Sequence, residues 1–211
     1  MKKQISIIIA FTLLFSSLFA NENKINWLGN QDTFKLSAAT DGIIAGTALS
    51  LNGAYLVCDK LLNTKNATFD GNLFKTSADC HCEVNSFDKT FMNPYNDNLH
   101  KLGTITTLTA IAFPAVLAIT PKEEWFTIGS MYAESILLAN GIKEITKLIV
   151  DRPRPYMYYD GYPKDKIDDG DWCKSFPSGH TTISFTAATF NSYVFCKYFP
   201  DSPWKYAVIG G

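Results

Sequence analysis

The run from Leu102 to Thr120 carries no charged side chain over 19 residues, and it constrains the fold more than any other feature of the chain. A stretch of about 20 apolar residues is long enough for a helix to cross a hydrocarbon layer, so it belongs either in a protein core or in lipid. Three other long apolar stretches accompany it, Leu36 to Val57, Trp125 to Val150 and His180 to Phe199, and a fifth begins near Trp204. All read as helices, and no alternating strand pattern of comparable length occurs. The expected fold is therefore an all-α helical bundle. Asp41 and Asn52 interrupt the first stretch, Glu134 and Asn140 the third, and Thr, Ser, Gly and Ala recur in all of them, a pattern that suits helices packed on one another. Lys and Arg show no clear bias between the loops. Together these features favour a domain lying wholly outside the inner membrane, with an integral membrane protein as the alternative.

Composition narrows the function classes. Of 211 residues, 19 are basic and 20 acidic, giving a net charge of -1. Nucleic-acid binding is excluded as an expectation, because backbone phosphates demand a clustered basic excess. The N-terminus reads as an address: Lys2 and Lys3 precede an apolar run from Ile5 to Phe19, and Leu18-Phe19-Ala20 resembles a cleavage site. Residues 1–20 are thus expected to be a signal peptide directing the chain to the periplasm or cell envelope. Residues 21–98 form an N-terminal helix and a cysteine-containing loop, and residues 99–211 the functional domain.

Export permits disulfides, and five cysteines, Cys58, Cys80, Cys82, Cys173 and Cys196, leave at least one thiol outside an intrachain pair. Cys196 lies in an apolar helical pattern and is expected to be a buried free thiol. Cys80-His81-Cys82 lacks the paired ligand spacing of a zinc fold, so no metal site is assigned.

Two constellations carry chemistry. Asn140, Lys143, Lys147, Asp151 and Arg154 recur at spacings of 3, 4, 4 and 3, which places a polar stripe on an otherwise apolar helix. Lys143 and Lys147 are like charges one turn apart, an arrangement that costs a few tenths of a kcal/mol unless an anion lies nearby. Pro153 and Pro155 push Arg152 and Arg154 into extended backbone, so the Arg154 guanidinium rides on a stiff segment just past the helix end. A fork held this way binds phosphate-like oxygens with little ordering entropy.

The second constellation is Ser175-Phe176-Pro177-Ser178-Gly179-His180. Ser178 is placed to cap the following helix, and Gly179 allows a ligand close to the backbone. The free amides of the first turn and the positive end of the helix dipole make an anion cradle. His180, inside that turn, can hand a proton to a leaving oxygen.

Taken in order, Lys147, six residues, Arg154-Pro155, and then Pro177-Ser178-Gly179-His180 resemble the first two signature motifs of the type 2 phosphatidic acid phosphatase (PAP2) superfamily, which includes bacterial class A acid phosphatases and vanadium haloperoxidases. The resemblance implies an all-α bundle that hydrolyses phosphate monoesters or diphosphates without a metal or cofactor. It assigns phosphate binding to Lys147, Arg154, Ser178 and Gly179, and leaving-group protonation to His180. The implied partner is a phosphorylated lipid or small soluble ester, with the membrane as a second surface of association.

The third motif of that family, Ser-Arg, five residues, His, three residues, Asp, supplies a nucleophilic His. No His or Arg occurs from Thr181 to Gly211. His81 lies between cysteines in a distant loop and His100 opens the second helix, so neither is assigned that role. The expectation is a chain truncated before its third motif, with an incomplete bundle and little or no turnover of its own. The alternatives are a vanadate-dependent haloperoxidase, in which the same cradle holds vanadate, and a catalytically dead anion-binding remnant.

Overall fold

A computed structural model describes residues 33–61, 92–159, 161, 164–168 and 170–210. Among these are six α-helices and no strand: α1 (Ala38–Leu61), α2 (Asp97–Ala112), α3 (Trp125–Val150), α4 (Lys164–Asp168), α5 (Gly179–Tyr198) and α6 (Trp204–Gly210). The all-α expectation holds. The four long apolar stretches appear as α1, α2, α3 and α5, and α3 has the bounds that the pattern predicts. The proposed signal peptide and the Cys80-His81-Cys82 cluster lie outside the described residues.

Helix α5 is the hub of the bundle, touching α2, α3 and α6, while α1 packs along α3. Leu117, Ile128, Phe190, Val194 and Phe195 form the main core, with Met131, Tyr132, Tyr198 and Phe199 packed against it. This core binds the C-terminal half of α5 to the start of α3. Its position leaves the N-terminus of α5 and the C-terminus of α3 free to meet at the other end of the bundle.

The apolar run departs from the expected buried core helix. Asn96 caps α2, its side chain accepting from Leu99 N at 3.1 Å, and Asp97 sits in the first turn, where its charge complements the dipole. At Pro114 the helix tightens into a 3-10 segment, Phe113–Ile119, closed by Thr120 Oγ1 donating to the Leu117 carbonyl at 2.6 Å. No residue of α2 is buried, and Leu102, Ile105 and Leu108 are 57–60% exposed. The half-buried positions are Gly103, Thr107, Ala110 and Pro114, leading to buried Leu117. Small residues therefore face α5 and large aliphatics face outward, the reverse of a water-facing helix.

The polar side chains of α2 fit the same picture. Thr104, Thr106, Thr107 and Thr109 each donate to the carbonyl four residues back at 2.8–3.1 Å, so these hydroxyls are satisfied within the helix. The Asp97–Ile119 segment is long and apolar enough to cross a membrane, and only 6% of its most apolar window is buried in the protein.

The α1–α3 contact is closer than ordinary side chains allow. A Cβ on Gly141 would lie 2.7 Å from the Leu51 Cβ and 2.9 Å from Asn52 Nδ2. Through this gap Asn52 donates to the Leu137 carbonyl at 2.9 Å and accepts from Asn140 Nδ2 at 2.7 Å. Gly141→Ala is expected to push α1 off α3 and cost about 1–3 kcal/mol, read as a lowered midpoint in thermal unfolding followed by circular dichroism. An unchanged midpoint would show that the two helices do not meet this closely.

Candidate functional site

Helix α3 ends at Asp151, whose backbone is left-handed at φ 46 and whose N–H returns to the Lys147 carbonyl at 3.0 Å. Asp151 thereby leaves the stripe that sequence spacing assigned to it. Asn140, Lys143 and Lys147 remain together. Arg154 is extended, with φ -75 and ψ 143, as the following proline dictates.

Two backbone hydrogen bonds tie this segment to the approach of the second constellation. Arg154 N donates to the Trp172 carbonyl at 2.7 Å and Ser175 N to the Arg152 carbonyl at 3.0 Å. Buried Met157, Trp172 and Cys173 form a small core beneath them. Residues 18 and 23 apart in sequence are thus held side by side. The loop then crosses a cis Phe176–Pro177 peptide and enters α5, where Ser178 serves as N-cap, its Oγ accepting from Thr181 N at 3.4 Å.

The lysines face this helix start. A Cβ on Gly179 would lie 3.6 Å from Lys143 Nζ and 3.8 Å from Lys147 Nζ. Glu144 relieves their mutual repulsion, at 2.6 Å from Lys143 Nζ and 3.6 Å from Lys147 Nζ. Lys143 also donates to Asn140 Oδ1 at 2.8 Å, which connects the lysine pair through Asn140 and Asn52 to α1. The like-charge pair read from the sequence is therefore compensated from within the protein. Glu144 was missed because it lies off the stripe, although its i,i+3 spacing to Lys147 is the signal that could have found it. Burial pushes the Lys147 ammonium below its ordinary pKa, a shift that Glu144 partly opposes and Lys143 and Arg154 reinforce.

His180 projects from the first turn of α5 toward α2. A Cβ on Gly103 would lie 3.7 Å from both Cδ2 and Nε2 of its ring, and the His100 ring stands edge-on to it with centroids 6.1 Å apart. Sequence reading gave His100 no role, since it matches no motif; the structure places it beside His180 because α2 crosses the start of α5. Desolvation lowers the His180 pKa, and the nearby His100, Arg154, Lys147 and Lys143 lower it further.

The cysteines differ from expectation in detail. Cys196 is a free thiol but half-buried, because its helix face borders the core rather than filling it. Cys173 is the buried free thiol, pushed up to about 12 by burial and by its contact with Asp151, which keeps it protonated and unreactive.

Of the five residues assigned from sequence, Lys147 thus lies at the end of α3, Arg154 in the extended segment just past it, and Ser178, Gly179 and His180 at the start of α5. Residues 129–210 match the PAP2 superfamily. The PAP2 segment contains both constellations and the whole of α3's C-terminal half, α5 and the Arg154 loop. No curated protein and no solved structure matches the chain.

The His180 environment sets an expected titration. In phosphate-free buffer its imidazole should titrate below the ordinary histidine value near 6.5. Inorganic phosphate should raise that midpoint, since a neighbouring anion favours the imidazolium. His100→Gln should raise it to a smaller extent by removing a like charge. Proton NMR of the imidazole Cε1–H across pH 4–9 checks both shifts, and a midpoint insensitive to phosphate would place His180 away from the anion.

Proposed function

We propose that this chain is a metal-independent PAP2-type phosphatase of the cell envelope, and that its substrate is a phosphate monoester or diphosphate carried by a lipid. The observation that carries the anion site is electrostatic. Two ammonium groups converge on the positive end of α5, where a helix dipole alone would repel them, and Glu144 offsets part of their charge. A bound dianion is the group that makes such an arrangement favourable.

In this reading Lys147 and Arg154 hold the phosphoryl oxygens, the N-terminal amides of α5 around Ser178 and Gly179 take further oxygens, and Lys143 adds charge from one turn below. These groups supply the charge neutralisation that phosphoryl transfer requires. His180 acts as the acid that protonates the departing alkoxide. Burial and the positive neighbours hold its pKa down, and a phosphoryl dianion opposes them, so substrate binding itself brings the proton to where it is used. No residue of this chain is assigned the attacking role.

A lipid-borne substrate is supported by the placement of the site against α2. His100 and Gly103 occupy the first turns of that helix, and both lie against His180. The 23-residue Asp97–Ile119 segment is about 34 Å long as an ideal helix, close to the ~30 Å thickness of a hydrocarbon core. With that segment in lipid, the anion site lies at headgroup level, where a lipid phosphate presents its ester. This reading adopts the integral-membrane alternative rather than a domain wholly outside the membrane.

Inorganic phosphate should bind the detergent-purified chain, and Lys147→Ala and Arg154→Ala should each weaken binding about ten- to hundredfold, as expected for loss of a charge-assisted hydrogen bond. Short-chain phosphatidic acid in micelles should bind more tightly than a soluble phosphate ester. Isothermal titration calorimetry measures both. Affinities untouched by the two substitutions would refute the anion site, and equal affinity for lipid and soluble ester would refute the lipid assignment.

A further inference from the structure

Among the described residues, Arg154 is held along one edge by Asp171. Its Nε donates to the backbone carbonyl of Asp171 at 2.9 Å, and its Nη2 donates to the Asp171 carboxylate Oδ1 at 2.5 Å. Nε and Nη2 lie on the same side of the guanidinium plane, so one residue engages that side edge twice. A guanidinium has five N–H donors in a fixed fork. Two are used here, leaving one hydrogen of Nη1 and one of Nη2 on the end-on edge, the geometry suited to a pair of phosphate oxygens, with the second Nη1 hydrogen on the opposite side.

The backbone around this contact is fixed by the same short segment. Arg154 N donates to the Trp172 carbonyl at 2.7 Å, and Met157 N to the Arg154 carbonyl at 2.9 Å. Asp171 opens a 3-10 turn, Asp171–Cys173, entered through Gly170 in the left-handed region at φ 68 and closed by Lys174 N donating to the Asp171 carbonyl at 3.1 Å. Trp172 and Cys173 in that turn are buried. The carboxylate thus sits on an anchored frame, while the Arg154 and Asp171 side chains are each 29% exposed.

We propose that Asp171 is the positioning residue of Arg154, holding the side edge of the guanidinium so that its end-on edge stays presented to the phosphoryl oxygens. The proposal rests on the reading of Arg154 as an oxyanion ligand, and it assigns to Asp171 a role that neither of the two sequence constellations contains. An unrestrained arginine would lose its side-chain freedom on every binding event, and Asp171 removes that loss beforehand. The competing effect has the opposite sign. A carboxylate beside the site repels the incoming anion, so a residue that merely opposed it would tighten binding when removed.

The test is a double-mutant cycle on the full chain in detergent, with the dissociation constant of inorganic phosphate measured by calorimetry for the unsubstituted protein, Asp171→Ala, Asp171→Asn, Arg154→Ala and Arg154→Ala/Asp171→Ala. Asp171→Ala should weaken binding about tenfold when Arg154 is present and leave it unchanged when Arg154 is absent. Asp171→Asn, which keeps an oxygen acceptor in the same place and preserves the turn, should retain affinity within about threefold. Equal loss in both Arg154 backgrounds would make Asp171 a structural residue and overturn the inference alone, as would tighter or unchanged binding by Asp171→Ala. Failure of the unsubstituted chain to bind phosphate, or indifference to Arg154→Ala, would overturn the anion site and this inference with it.

Discussion

The meeting of the α3 C-terminus with the α5 N-terminus is the constraint on which the rest of the structure depends. Two lysines approach a helix end of their own sign within van der Waals distance of Gly179, and like charges there must be compensated or they drive the helices apart. Glu144 compensates part of the charge from α3 itself. The remainder stays as a standing positive potential at the mouth of α5. Such a potential is tolerated because the core at the opposite end, built from Leu117, Ile128, Phe190 and Val194, fixes α3 against α5 independently of the charged end. Packing at one end holds in place an electrostatic strain at the other, and that strain is what a phosphoryl group would relieve.

The loop between the helices solves a second problem. Arg154 and Ser178 belong to different segments, and a flexible connection would let their geometry drift by more than the fraction of an ångström that oxyanion recognition allows. Two backbone hydrogen bonds between residues 152–154 and 172–175, with Met157 and Trp172 packed beneath, turn the connection into a rigid clamp. Lys174 extends it to α1 by pairing with Asp59 at 2.7 Å. The Asn52–Asn140–Lys143 chain makes a separate link from α1 to the lysine pair. Helix α1 thus supports both halves of the site without contributing a ligand.

Much of this was legible in the sequence, and the limits are instructive. Helical periodicity placed α3 and α5 because both bury an apolar face, and the prolines beside Arg154 dictated its extended backbone because proline geometry is local. Ser178 as a cap and Gly179 as a close approach were readable for the same reason. What could not be read was chosen by tertiary contact. Asp171 stands 17 residues from Arg154, inside a polar stretch where several aspartates were equally eligible, and only the fold of the loop selects one. His100 reaches His180 because α2 crosses α5, and a crossing leaves no periodic trace. Asp151 left its stripe because the helix ended beneath it.

Helix α2 shows a different kind of limit, since its signal was present and pointed two ways. An uncharged run is compatible with a core or with lipid, and composition does not separate them. The distribution of side-chain size adds what composition lacks: Gly103, Thr107, Ala110 and Pro114 share the face toward α5, whereas Leu102, Ile105 and Leu108 point away. In water the large aliphatics would drive burial and the small residues would be left outside. In a bilayer the lipid tails are as apolar as leucine, the hydrophobic preference for the protein interior vanishes, and close approach of small residues decides which face packs. Because the small face near the start of α2 is the one that receives His180, the contact that packs α2 on α5 is also the one that forms a wall of the proposed anion site.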